Sequence, residues 1–175
     1  MKASRKERIQ KDIECYGSEI LNSEELRKAY GQTHHTWSTV GEHTLRVAAA
    51  SLAICYTLHR LHISTDIPAV VKGSLCHDLG ILGRDEKYST KEECSRQHPV
   101  DSVSVARELV TDLPEKSADI IARHMWPGGH SKVPNSLEGI IVSAADKYAT
   151  VKDVFQGSSV KHTGVKYFIR DRKKR

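Results

Sequence analysis

The sequence predicts an all-α fold. No stretch alternates apolar and polar residues over the length of a strand, and apolar positions recur instead at three- and four-residue spacing between turn signals. A charged amphipathic segment, about Arg5 to Leu21, opens the chain, followed by a short polar one from Ser23 to Tyr30. Gly31 to Trp37 reads as a loop holding His34 and His35. The next helix is the clearest, because Thr39 and Glu42 have capping-box spacing before the stripe Val47, Ala50, Ile54, Leu58, Leu61. His43 lies four residues before Val47 and continues that stripe inward. Ser64, Thr65 and Asp66 then supply capping residues for a short helix with Pro68 in its first turn. Its inner face is Ile67, Val70, Val71, Ser74 and Leu75, and it delivers His77 and Asp78 before Gly80 ends it.

Ile81 to Gln97 reads as polar and irregular. His98-Pro99 has the form of an N-cap and a proline at the first helical position, opening a helix through Val110. Pro114 opens another, whose face Ser117, Ile121, His124 ends in a histidine, and Pro127, Gly128 and Gly129 break it. The last helix, about Asn135 to Phe155, contains IIVSAAD, is apolar nearly all round, and is expected at the centre of the fold. The expected organisation is an N-terminal helical extension (1–30) packed on one domain (31–155), then a basic tail (156–175).

Length and composition bound the function. A chain of 175 residues, 38% hydrophobic and 28% charged, is that of one globular domain. The net charge of +5 is uneven: residues 156–175 hold seven Lys/Arg against one acid, and the rest 20 Lys/Arg against 21 Asp/Glu. A general nucleic-acid-binding surface is therefore not indicated. The four cysteines form no C-x-x-C pair and the amino terminus has no apolar signal core, so free thiols in a cytoplasmic protein are expected. No apolar run has membrane-spanning length, so no membrane partner is expected, and a homodimer is admitted as a partner.

Ten histidines are many for this length, and several fall on core-facing helical positions. Asp146 follows six uncharged residues on the most apolar helix, where a carboxylate is costly to desolvate unless a cation or metal pairs with it. A salt bridge to Lys147 would satisfy it alone, and a backbone hydrogen bond would satisfy His43 alone. The pair His77-Asp78 supplies an imidazole and a carboxylate from one rigid point. Together His43, His77, Asp78, His98, His124 and Asp146 offer four imidazoles and two carboxylates from five elements. That donor set suits divalent transition metals, with iron or manganese first and zinc, nickel or cobalt as alternatives, better than calcium.

The order His43, His77-Asp78, Asp146 resembles the H…HD…D signature of the HD-domain metal-dependent phosphohydrolases. The strings GEHTLRVA, LCHDLG and VSAADKY resemble that family too, over roughly Thr33 to Phe155. With His98 and His124, the pattern is similar to the H…HD…H…H…D variant that binds two metals. The resemblance implies a compact helical bundle with the metal site between its central helices. One metal would be held by His43, His77, Asp78 and Asp146, and a second by His98, His124 and a bridging Asp78. A metal-bridging hydroxide would attack a small phosphate ester, such as a nucleotide. Candidate groups for the developing charge are Lys147, Arg46, Arg84 and Arg123, and His35 is the candidate proton donor or substrate contact at the site mouth. Ile81 and Leu82 follow HDLG and there is no GYP motif, which separates the chain from the cyclic-dinucleotide enzymes. Two other functions are set beside hydrolysis. One is a di-iron oxygenase acting on a small organic substrate, and the other a non-catalytic or nucleic-acid-associated module using the basic tail.

Overall fold

A computed structural model describes residues 4–35, 38–128 and 131–155, with the side chains of His35 and Phe155 outside that description. The basic tail lies outside the described residues. The helices are α1 (Arg5–Tyr16), α2 (Ser18–Asn22), α3 (Glu24–Ala29), α4 (Val40–Arg60), α5 (Ile67–Cys76), α6 (Arg84–Lys87), α7 (Lys91–Leu109), α8 (Glu115–Arg123) and α9 (Leu137–Phe155). A 3₁₀ turn spans Leu79–Ile81. The expected loop at Gly31–Trp37 instead carries a strand, β1 (Thr33–His35), paired antiparallel with β2 (Ser38–Thr39). No helix among the described residues is long and apolar enough to cross a membrane.

The helix at the centre is α5, which packs on α1, α4, α7, α8 and α9. Its residues Ala69 to Cys76 are buried except Lys72. Asp66 caps it, accepting from the Ala69 amide at 3.0 Å, with Pro68 in the first turn as the sequence predicts. The expectation that α9 is central is not met. Ile141, Val142, Ala145, Asp146, Ala149 and Asp153 face inward, while Ile140, Tyr148, Val151 and Val154 are exposed. Inward residues spaced at three and four make α9 a one-sided helix, and the surrounding apolar residues conceal that period.

The capping box of α4 is present in both directions: Thr39 Oγ1 accepts from Glu42 N, and Glu42 Oε2 accepts from Thr39 N, each at 3.2 Å. Its buried face is rotated from the expected stripe. Thr44, Val47, Ala48, Ser51, Leu52 and Cys55 are buried, whereas Ile54 is 36% and Leu61 65% exposed. Close contact with α5 and α9 selects small residues for this face, which a stripe weighted by side-chain size passes over.

Helix α7 departs most from expectation. It starts at Lys91, capped by Thr90, whose Oγ1 accepts from Glu93 N at 3.0 Å. His98 is therefore not an N-cap, and Pro99 lies inside the helix rather than at its start. The T-x-x-E signal at Thr90 and Glu93 outweighs the lost N–H of one proline, because nineteen residues share the ladder.

Gly80 has a different role from a helix-ending glycine. Helix α5 stops at Cys76, and Gly80 sits in the 3₁₀ turn against the backbone of α7. A Cβ there would lie 2.3 Å from Ser102 N and 2.6 Å from His98 O. The absent side chain lets Gly80 N donate to Ser102 Oγ at 2.9 Å, which docks α7 beside Asp78. Gln32 holds the other side of this segment, donating to Ile81 O at 3.0 Å and accepting from Gly83 N at 2.7 Å.

Gly80→Ala must push α7 outward, and overpacking of this kind costs about 1–3 kcal/mol. Urea unfolding of the variant should show a lower midpoint at unchanged slope.

Candidate metal centre

The six residues His43, His77, Asp78, His98, His124 and Asp146 converge on one point and all are buried, none more than 7% exposed. His43 comes from the first turn of α4 and Asp146 from the middle of α9. His77 and His124 are the C-caps of α5 and α8, Asp78 opens the 3₁₀ turn, and His98 projects from within α7.

The Asp78 carboxylate divides the cluster. Its Oδ2 lies 3.4 Å from His77 Nε2 and 3.9 Å from His43 Nε2. Its Oδ1 lies 3.4 Å from both His98 Nε2 and His124 Nε2. Asp146 Oδ1 faces only the first group, 2.9 Å from His43 Nε2 and 3.9 Å from His77 Nε2.

Hydrogen bonds on the far side of each ring set the tautomers. The Nδ1 of His77, His98 and His124 donates to the carbonyl of Ser74 (2.8 Å), Cys94 (2.7 Å) and Ile121 (2.7 Å). A carbonyl only accepts, so each Nδ1 carries a proton and each ring, once its Nε2 is deprotonated, presents a lone pair inward. His77 Nε2 is buried without a hydrogen-bond partner. His98 Nε2 and His124 Nε2 face each other at 3.1 Å, an arrangement of two lone pairs that requires a proton or cation between or beside them. An orphaned inward nitrogen and opposed lone pairs are the marks of a donor set suited to a metal ion. The residues fit a divalent transition metal with nitrogen and oxygen ligands.

Charge in the cluster follows the same geometry. Burial opposes the His43 imidazolium, but the hydrogen bonds it donates to Asp146 and Asp153 outweigh it and raise the group to about 9. Burial also opposes ionised Asp78, yet His77, His124 and His98 around it hold its carboxyl well below the usual carboxylate range. Asp146 is likewise lowered, against its burial, by the hydrogen bond with His43 and the nearby positive groups. Both carboxylates are therefore ionised and ready to meet a cation.

The other candidates divide by what they touch. Lys147 Nζ contacts Asp146 Oδ2 at 3.0 Å and donates to His124 O at 2.7 Å, so it satisfies Asp146 and also stands at the cluster. Arg84 Nη1 donates to His34 O at 3.2 Å, beside the site mouth. Arg46 is taken by Asp153, with Nη2 2.7 Å from Oδ1. Arg123 pairs with Asp119 and donates to Val133 O, fixing the loop before α9. The side chain of His35 lies outside the described residues. Its neighbour on β1, His34, meets the cluster, with Nε2 3.5 Å from Asp78 Oδ2 and its ring 4.4 Å from that of His43.

Sequence reasoning missed two residues here, His34 and Asp153. Asp153 Oδ2 accepts from His43 Nδ1 at 3.1 Å and from Ser38 Oγ at 3.2 Å, while Arg46 holds its other oxygen. It thereby orients His43 as the backbone carbonyls orient the other three rings. The available signal was its place seven residues after Asp146, two turns along the same helix face.

Fold and cluster define an all-helical protein with a buried His/Asp centre able to hold metal ions. The HD domain family model matches residues 40–151, and the chain belongs to that family, whose superfamily is of the metal-dependent hydrolase type. No curated protein and no solved structure matches the chain. His34 and Asp153 fall outside the matched span.

Asp153→Asn should weaken metal binding by about 10–100-fold, as loss of such an outer partner does elsewhere. Competition with a chromophoric chelator measures it. A pH effect follows for the chelated protein. The His43 group is raised from 6.5 to about 9, so its contribution to stability is complete below pH 6.5 and is lost as pH rises through about 9. Urea midpoints across that range should fall in the wild type, and less in His43→Gln.

Proposed function

We propose that the protein is a metal-dependent phosphohydrolase that removes phosphate from a small ester, nucleotides among the candidates, with two divalent ions seated on either side of Asp78. The division of the Asp78 carboxylate carries this reading: Oδ2 turns to His43 and His77, and Oδ1 to His98 and His124. His43, His77, Asp146 and Asp78 Oδ2 would hold one ion, and His98, His124 and Asp78 Oδ1 the other. Such ions lower the pKa of water and polarise phosphoryl oxygens.

The protein's own groups supply the rest. A cavity of about 400 Å³ opens on Asp78, His98, His124 and Asp146, so a phosphoryl group can reach the cluster. Lys147 lines that cavity, and its ammonium, fixed by Asp146 and the His124 carbonyl, stabilises charge gathering on the phosphoryl oxygens. His34 also lines it, and in this reading it would pass a proton to the departing oxygen. Ile81 and Met125 add apolar wall beside the charged groups.

The experiment is phosphate release from a panel of phosphate esters by the manganese-loaded protein under anaerobic conditions, paired with elemental analysis of variants. Asp78→Ala should abolish release and bind neither ion, while His98→Ala should retain about half the metal of the wild type. An Asp78→Ala protein with its full metal content would sink the assignment, and an activity that appears only with oxygen and reductant would replace hydrolysis by oxygenation.

A further inference from the structure

The cavity at the metal centre does not end there. A second cavity of about 720 Å³ adjoins it, bounded by Arg84, Tyr88, Ser89 and Thr90. His34, Ile81, Lys91 and Cys94 line both, so the cleft beside the cluster has an inner and an outer cavity that meet at these four residues. The outer volume is in the range that holds a whole small molecule, far beyond the needs of the phosphate being removed.

Cations mark the length of this cleft. Lys147 lines the inner cavity, Lys91 both, and Arg84 the outer one. The outer cavity has one carboxylate in its described lining, Asp85, whose side chain is 96% exposed and 3.7 Å from Arg84 Nε. A pair so open to solvent is weak and leaves the guanidinium available to an anion. Arg84 is itself partly buried and fixed by its bond to the His34 carbonyl, which keeps its planar donors in place. Ser89 and Thr90 add hydroxyls on the same wall.

We infer that the outer cavity is a subsite for a second phosphate, held by Arg84 and Lys91, and that the favoured substrate is a bisphosphorylated small molecule. The inference rests on the phosphohydrolase reading and names its substrate class. The first phosphate sits at the cluster beside Lys147, the carbon skeleton crosses the ridge of Ile81 and Cys94, and the second phosphate meets Arg84 and Lys91.

The test compares fructose 1,6-bisphosphate with fructose 6-phosphate on the full-length, manganese-loaded chain. The wild type should favour the bisphosphate by about tenfold or more in kcat/KM, the size expected of charge-assisted contacts. Lys91→Ala and Arg84→Ala should each remove most of that preference through KM. Because Arg84 also holds the His34 strand, Lys91→Ala is the cleaner of the two. Equal kcat/KM for the two sugars in the wild type, or a preference that survives both substitutions, overturns the subsite. If neither sugar is hydrolysed and no phosphate ester is, the hydrolase reading has failed separately. Titration calorimetry with the same sugars then decides the subsite: tighter bisphosphate binding that Lys91→Ala abolishes supports it, and equal binding overturns it.

Discussion

The structure depends on one buried carboxylate. Asp78 sits among five imidazoles, with Oδ2 turned to His34, His43 and His77 and Oδ1 turned to His98 and His124. An ionised carboxylate at this depth is tolerable only where positive charge surrounds it. The helices can meet here because their ends and faces supply that charge or its ligands. The short α5 places Asp78, the absent Cβ of Gly80 lets α7 approach it, and Asp153 fixes the ring of His43.

The rings of His43, His77, His98 and His124 are each anchored on the outer nitrogen, three by backbone carbonyls and one by a carboxylate. These anchors need no adjustment when a cation arrives, so little is spent on reorganisation. The carboxylate anchor differs in kind, because Asp153 is itself tied to Arg46 and to Ser38 of the hairpin. The strand that carries His34 and the ring of His43 are thus positioned by one hydrogen-bonded group.

The fold class was legible because helical signals do not depend on partners. Thr39 with Glu42, and Asp66 with Pro68, are local chemistry and appear where they were expected. The six clustered residues were legible because polar groups on otherwise apolar helix faces need an explanation. Tertiary packing hid the rest. Which side of α9 faces inward depends on what lies against it, and the small residues of α4 are inward because α5 and α9 come close. Proline at a helix start is common enough that His98-Pro99 reads as one, while the polar composition of residues 81–97 conceals the cap at Thr90. Asp153 gave no local sign beyond its helical phase with Asp146.

Two helices finish at the metal centre with their carboxyl ends. His77 caps α5 and His124 caps α8, so the negative poles of both helix dipoles are directed at the space between Asp78 and Asp146. With two ionised carboxylates already there, that field attracts cations and repels phosphate. Before metal binds, Lys147 and the His43 imidazolium only offset the two carboxylates and leave the helix poles unopposed. On the hydrolase reading proposed above, occupancy of the centre would therefore be ordered, with metal first and phosphorylated substrate second. A phosphorylated molecule added to the metal-free protein meets an electrostatic barrier at the inner end of the cleft.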